Sequence, residues 1–345
     1  MRIHSFWLTW CLSWLFLLSA STALAQPQST NGIARVVINN CGDPAVLRVS
    51  AYDYVATCST NGADDSVAIY RSSDLVNWYE AGRGLQGPAY RPQWVLRDQY
   101  GNYNYWAPEI HRVGGRYVMY FTGRYKAFVA GKDTGLCIGA AWSTSPVGPF
   151  NDIGHCLISN TTEPMGLIDP THFEDTDGRH YLLFKRDGNA VKKQTAIVVT
   201  ELTSDGLSEK PGSARTQLIV NDRGTWEGPL VEAPWLIKRN GTYYLFYGGN
   251  AGANVYSTGV AKSSSIRGPF TKRGARILKP DAVWDGLGHA TVVTGPNGQE
   301  YILSQIWRTG AWIGGMLTEA RYTELQPLVW TDVNGKPSVW PRALY

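Results

Sequence analysis

Five segments of this chain open in the same way, and their regular spacing restricts the folds open to it. The segments are Asp43-Pro44-Ala45-Val46, Trp106-Ala107-Pro108-Glu109-Ile110-His111, Ile168-Asp169-Pro170-Thr171, Val231-Glu232-Ala233-Pro234-Trp235 and Gly288-His289-Ala290-Thr291-Val292. They recur roughly every 60 residues, the signature of a repeated supersecondary unit. Each is followed by a turn, in most units one containing Gly, and then by a strand pattern rich in aromatic residues, at 54–57, 116–121, 180–184, 242–247 and 300–303. A third strand pattern follows in four units, at 67–72, 138–143, 196–200 and 258–263, and two units close alike on Gly148-Pro149-Phe150 and Gly268-Pro269-Phe270. One small antiparallel sheet cannot bury a core alone, so five must pack face to face. Radial repetition about a channel does this, and it predicts an all-β, single-domain, five-bladed β-propeller. A β-sandwich would not require five matched openings. No apolar period of helical type argues for α/β architecture. Residues 86–104 read as an extended loop within the first two blades. The opening strand of each blade should line the channel, which brings the five openings to one mouth.

The N-terminus reads differently. Met1-Arg2, an apolar run from Phe6 to Ala20 and the small-x-small pattern Ala23-Leu24-Ala25 make residues 1–25 a secretory signal peptide, with residues 26–345 as the propeller. The run is shorter than the roughly 20 residues needed to span a bilayer, and no later segment is long and apolar enough. A secreted, extracellular protein is expected, with no membrane partner. Cys11 leaves with the signal, so Cys41, Cys58, Cys137 and Cys156 remain. An even number in an oxidising compartment implies two disulfides. Three pairings are possible; Cys41 with Cys58 and Cys137 with Cys156 is the expected one, since each would staple a short hairpin within one unit. Asn160-Thr161-Thr162 and Asn240-Gly241-Thr242 are glycosylation acceptors. The formal charge of +4 comes without a Lys/Arg block, which sets nucleic acid aside as a partner. With 14 Trp and 19 Tyr in 345 residues, strands account for most of the aromatic content and sugar-stacking surfaces for some.

Asp43, Asp169 and Glu232 would meet at the mouth from three blades. Hydrolysis of a glycosidic bond needs one carboxylic acid to protonate the leaving oxygen and one carboxylate to activate water or attack the sugar. A third acid nearby disfavours ionisation of the donor. These stretches, with Ser72-Ser73-Asp74-Leu75-Val76-Asn77-Trp78 of the first unit, resemble glycoside hydrolase family 43 in order and over almost the whole mature chain. The resemblance implies an inverting mechanism, no required cofactor, and pentose substrates such as arabinan, arabinoxylan and xylan. It implies Asp43 as general base, Glu232 as general acid and Asp169 as the acid that tunes the donor and orients substrate. Inversion would place the Asp43 and Glu232 carboxyls roughly 6.5 to 9.5 Å apart.

Other residues fall around this set. Glu227, in Trp226-Glu227-Gly228-Pro229, precedes the strand whose turn fixes the register, so Glu232 keeps the donor role. Asp175 and Asp177 read as hairpin-turn residues, and Glu109 is left without a role. His289 matches a family position near the channel centre that contacts bound calcium or water, which makes it a candidate for substrate and for a structural Ca2+ in the channel. Arg321, in Glu319-Ala320-Arg321, falls where the family's arginine hydrogen-bonds the sugar, although Ala replaces the usual Gly before it. Ser304-Gln305 stands where the family commonly has Tyr-His. Trp106, Trp94 and Trp235 are candidates for a platform under the sugar ring. A monomeric α-L-arabinofuranosidase acting on polysaccharide or oligosaccharide is expected, with β-xylosidase and endo-1,5-α-L-arabinanase as alternatives. A sugar-binding propeller without turnover is the reading from another class.

Overall fold

The computed structural model describes residues 35–331 and 336–339, apart from 61–63, 99, 128, 130–131, 133, 161–164, 251–252 and 314–315. The signal segment therefore lies outside the described residues, as do Thr161 and Thr162 of one glycosylation acceptor. No helix among the described residues is long and apolar enough to cross a membrane.

Five antiparallel sheets form a ring. Blade one comprises Ala45–Ser50, Asp53–Thr57, Val67–Ser72 and Tyr79–Gly84; blade two Trp106–Val113, Arg116–Arg124, Leu136–Ser143 and Asn151–Asp152. Blade three comprises Gly166–Glu174, His180–Asp187, Ala196–Glu201 and Thr216–Val220; blade four Val231–Arg239, Thr242–Gly249, Ser257–Ser263 and Thr271–Lys272. In blades one to four the three inner strands are those read from the pattern, and a short outer strand completes each sheet. Blade five departs from this order. Its inner strands Trp284–Thr294, Glu300–Arg308 and Tyr322–Thr331 come from the end of the chain, but Arg35–Ile38 from its beginning pairs with Tyr322–Thr331. That pairing closes the ring with backbone hydrogen bonds between the two ends of the chain.

The core is divided rather than central. One apolar cluster fills each blade interface: Val55, Ile69 and Phe121 between blades one and two, and Tyr120, Leu182 and Phe184 between two and three. Leu183, Leu245 and Tyr247 lie between three and four, Phe246, Val292 and Ile302 between four and five, and Tyr54, Val293 and Leu303 between five and one. Face-to-face packing of amphipathic sheets is thus what excludes water, as the small size of each sheet requires. Asn240 and Gly241 both take positive φ, 48° and 76°, in the tight turn of blade four, the geometry an Asn-Gly hairpin favours. Both disulfides form as expected, Cys41–Cys58 and Cys137–Cys156. The described residues of 86–104 form a connecting loop apart from the single turn of helix Gly87–Tyr90.

Candidate active site

The repeated openings owe their likeness to a backbone device. Asp43, Ala107, Asp169, Ala233 and His289 all take a left-handed φ, between 43° and 54°, and stand at the same position in the five blades. Outside glycine this conformation carries a steric cost of order 1 kcal/mol. Strand register slips at each of the four openings for which pairing is recorded across it, between Trp106 and Glu109, Ile168 and Thr171, Glu232 and Trp235, and Gly288 and Thr291. A bulge of this kind aims a side chain off the sheet plane. Neighbouring blades hold it in place. The Ala107 N–H donates to Ser59 Oγ at 2.7 Å, Asp169 N–H to Thr122 Oγ1 at 3.1 Å, Ala233 N–H to Asp169 Oδ2 at 3.0 Å and Asp43 N–H to Gln305 Oε1 at 3.1 Å.

This register corrects one expectation. Asp43 and Asp169 are equivalent, but Glu232 precedes the equivalent position, which Ala233 occupies. Glu232 therefore enters the site from a different direction, across from the second strand of blade three, where Lys185 Nζ donates to its Oε2 at 2.8 Å. Its side chain keeps 21% of its surface exposed, while Asp169 is 8% exposed.

Asp43 is the most tightly held of the three. Arg321 Nη1 lies 2.7 Å from its Oδ2, His289 Nδ1 3.2 Å from its Oδ1, and the Ser59 hydroxyl donates to Oδ2 at 2.6 Å. Burial alone would raise the Asp43 carboxyl, but Arg321, His289 and Ser59 outweigh it and hold it well below the usual carboxylate range. Burial would in turn lower His289, yet the facing Asp43 carboxylate raises it to about 9, so this imidazole is cationic at neutral pH. Burial pushes Asp169 up to about 7; His289 and Lys185 pull against this, and the nearby Glu232 and Asp43 add to it. The site thus pairs a fixed carboxylate with a second acidic centre that retains a proton close to neutrality. That asymmetry is the requirement of acid–base catalysis by two carboxyl groups.

The remaining candidates divide. His289 and Arg321 are brought to Asp43, and Trp106, half-buried, stands beside Ala107 at the mouth. Trp94 goes instead into the packing between blades one and two, stacked on Phe121 at 5.9 Å with its indole N–H donated to Asp152. Trp235 sits deeper in the channel, 5.8 Å from the His111 ring. Glu227 is buried and tied to Tyr247, Lys272 and the Asp222 N–H, and Asp175 is held by Lys238 and Tyr243 at a hairpin turn, so both are structural. Glu109 is buried against His111 Nε2 at 2.8 Å. Among the described residues no group of three or more His, Cys, Asp or Glu side chains could hold a metal ion. His289 spends its Nδ1 on Asp43, so only its Nε2 could face a channel ion.

Sequence reasoning missed Lys185, Asp187, Ser59 and Tyr256, and met Gln305 only as a departure from the family's Tyr-His. A lysine directly after the apolar run Tyr181-Leu182-Leu183-Phe184, within the same strand, was the available signal, because lysine is almost never fully buried unless paired. Tyr256, buried beneath Gly248 and Gly288, directs its hydroxyl at Glu232.

Comparison with known proteins agrees with this geometry. The family model for glycosyl hydrolases family 43 matches residues 33–337. The chain is 34% identical over 179 residues to Beta-D-galactofuranosidase xynD of Aspergillus niger, covering 51% of this chain and 48% of that protein. It is 28% identical over 312 residues to Xylosidase/arabinosidase 43B of Humicola insolens, covering 86% of this chain and 54% of that one. The chain thus spans about half the length of these curated relatives. Among solved structures, a thermostable family-43 glycoside hydrolase superposes with a TM-score of 0.73 at 26% identity, covering 89% of this chain and 95% of the other.

Proposed function

The chain belongs to glycosyl hydrolase family 43, and from that premise we propose that it is an inverting glycosidase of plant cell-wall pentosans, acting first as an α-L-arabinofuranosidase on arabinan or arabinoxylan. The observation that carries this reading is the contrast within the site: Asp43 is clamped as a carboxylate by Arg321 and His289, while Glu232 of blade four is partly exposed near Asp169, an acid pushed up to about 7. Asp43 is the base. It takes a proton from water as the water oxygen attacks the anomeric carbon from the face opposite the leaving group. Glu232 is the acid and delivers its proton to the departing oxygen, which avoids expelling an alkoxide. Asp169 cannot replace it, because Asp169 is buried and its Oδ2 accepts the Ala233 N–H. Its charge, when formed, opposes a second charge on Glu232.

Similarity to proteins named for furanosidase and for xylosidase/arabinosidase activity supports a pentose or furanose ring. We further place the mature enzyme outside the cell, on the strength of the N-terminal apolar segment and the two disulfides. Hydrolysis of 4-nitrophenyl α-L-arabinofuranoside, 4-nitrophenyl β-D-xyloside and linear arabinan tests the assignment. Turnover of the arabinofuranoside with first-formed product of inverted configuration by NMR is expected; turnover of none across pH 4 to 8 would refute it. Glu232→Gln should lose activity by about 100-fold or more on arabino-oligosaccharide while still binding it. A sugar-binding protein without turnover would show neither effect.

A further inference from the structure

Each blade opening faces one residue of the second strand in its own sheet. Trp106 pairs with Thr122, Ile168 with Lys185, Glu232 with Gly248 and Gly288 with Gln305, and Ser59 N–H donates to Gly42 O in the first blade. Three of these five residues use a neutral oxygen to accept the N–H of the left-handed residue in the next blade: Ser59, Thr122 and Gln305. Lys185 does not, because Asp169 Oδ2 has taken over the Ala233 N–H. Its ammonium instead lies 2.8 Å from Glu232 Oε2 and 2.9 Å from Asp187 Oδ1. Lys185 is 1% exposed and Asp187 5% exposed. A packing position has thus been given over to a charge.

An ammonium buried without a partner costs several kcal/mol. Asp187, two residues along the same strand, supplies a second counter-charge at 2.9 Å, so Lys185 does not need an ionised Glu232 to be accommodated. The Lys185–Asp187 pair is neutral as a unit, and it still presents N–H donors to one oxygen of the Glu232 carboxyl. When that carboxyl loses its proton to a leaving oxygen, the new negative charge forms against a donor already in place, without reorganisation. The other ionisable groups near Glu232 are Asp169 from the opening of blade three and Tyr256 from the loop before the third strand of blade four; Asp43 and His289 are close to Asp169. None of these is a cation in direct contact with Glu232. Among the described residues Lys185 alone has that place.

On the reading of Glu232 as proton donor, we infer that Lys185 and Asp187 are a positioning pair for it: they fix the direction of its carboxyl and set the pH at which the site gives up its proton. The two members act with opposite sign. Removing the cation in Lys185→Met should hold the site's proton to higher pH, and removing the counter-charge in Asp187→Asn should release it at lower pH, each by about one pH unit for charges at this separation. The measurement is the basic limb of the kcat/KM profile on an aryl arabinofuranoside. A second readout is the 13C titration of the Glu232 carboxyl, assigned with Glu232→Gln, which needs no turnover. Lys185→Met strands Asp187 in the interior and can fail to fold; Asp187→Asn and the double variant Lys185→Met/Asp187→Asn then carry the test. The double variant should restore stability and move the limb back toward the parent value. Lys185→Arg should retain the limb.

A merely structural pair would change stability and leave the limb and the Glu232 resonance where they were, which would overturn the inference, as would displacement of both single variants in one direction. The assignment of Glu232 fails separately. If Glu232→Gln hydrolyses arabino-oligosaccharide as well as the parent does, the proton donor has been misidentified, whatever the Lys185 variants do.

Discussion

Asp169 should make the protein weaker as pH rises, and replacing it with asparagine should remove that weakness while abolishing activity. Its carboxyl is raised from an ordinary value near 3.8 to about 7 in the folded protein, chiefly by burial. The native state therefore binds this proton more tightly than the unfolded chain does. Stability conferred by the bound proton is fully present below about pH 3.8 and is lost progressively as pH rises through about 7. At ~1.4 kcal/mol per pH unit the ceiling is on the order of 4 kcal/mol. Glu232 shares the titration, so about 2 kcal/mol is the expected size. The carboxamide of Asp169→Asn would be uncharged at every pH and keeps an oxygen to accept the Ala233 N–H now held at 3.0 Å. Urea unfolding of parent and Asp169→Asn at pH 4 and pH 8.5, with disulfides intact, measures the difference. The variant should gain about 2 kcal/mol relative to the parent between the two pH values, and kcat should fall sharply at both. An advantage equal at pH 4 and 8.5, or a variant weaker at pH 8.5, would refute the argument that Asp169 stores the cost of a buried charge.

Two further outcomes follow from what surrounds Asp43. A Cβ at Gly42 would lie 1.9 Å from Arg321 Nε, so Gly42→Ala should displace the guanidinium and leave Asp43 without its strongest cation. The expected loss in kcat is on the order of 100-fold with little change in melting temperature, and the acid limb of the pH profile should move upward, since Arg321 is part of what holds the carboxyl down. The Cys41–Cys58 bridge spans a sequence separation of 17 and flanks both Asp43 and Ser59. Replacing both cysteines with serine should cost about 3 kcal/mol in chemical unfolding and also lower kcat; the equivalent change at Cys137 and Cys156 should cost stability with a much smaller effect on turnover.

Much of this architecture is written in the chain. Blade number, the inner strands of the first four sheets and the convergence of Asp43, Asp169 and Glu232 follow from a repeat, because each repeat is a local unit whose strands pair with near neighbours in sequence. Its hydrophobic face then has nowhere to go except against the next unit. The X-Pro openings carried the register almost correctly. They did not reveal the left-handed residue, since a positive φ at Asp43, Ala107, Asp169, Ala233 and His289 has no compositional mark when glycine is absent. As a result Glu232 reads as equivalent to the two aspartates when it stands one residue earlier.

What only the tertiary structure decided lies between blades or between chain ends. Arg35–Ile38 completes the sheet of Tyr322–Thr331 from nearly three hundred residues away, and Arg321 and His289 reach Asp43 across the same closure. Lys185 meets Glu232 across the interface of blades three and four. Trp94 and Trp235 were equally plausible as sugar platforms until packing assigned one to an interface and the other to the channel. Within a blade the period of the sequence dictates which residues become neighbours. Across a blade interface the partners are chosen by how two sheets twist and stack, and a charge such as that of Lys185 gains its meaning only from the carboxylates this stacking sets around it.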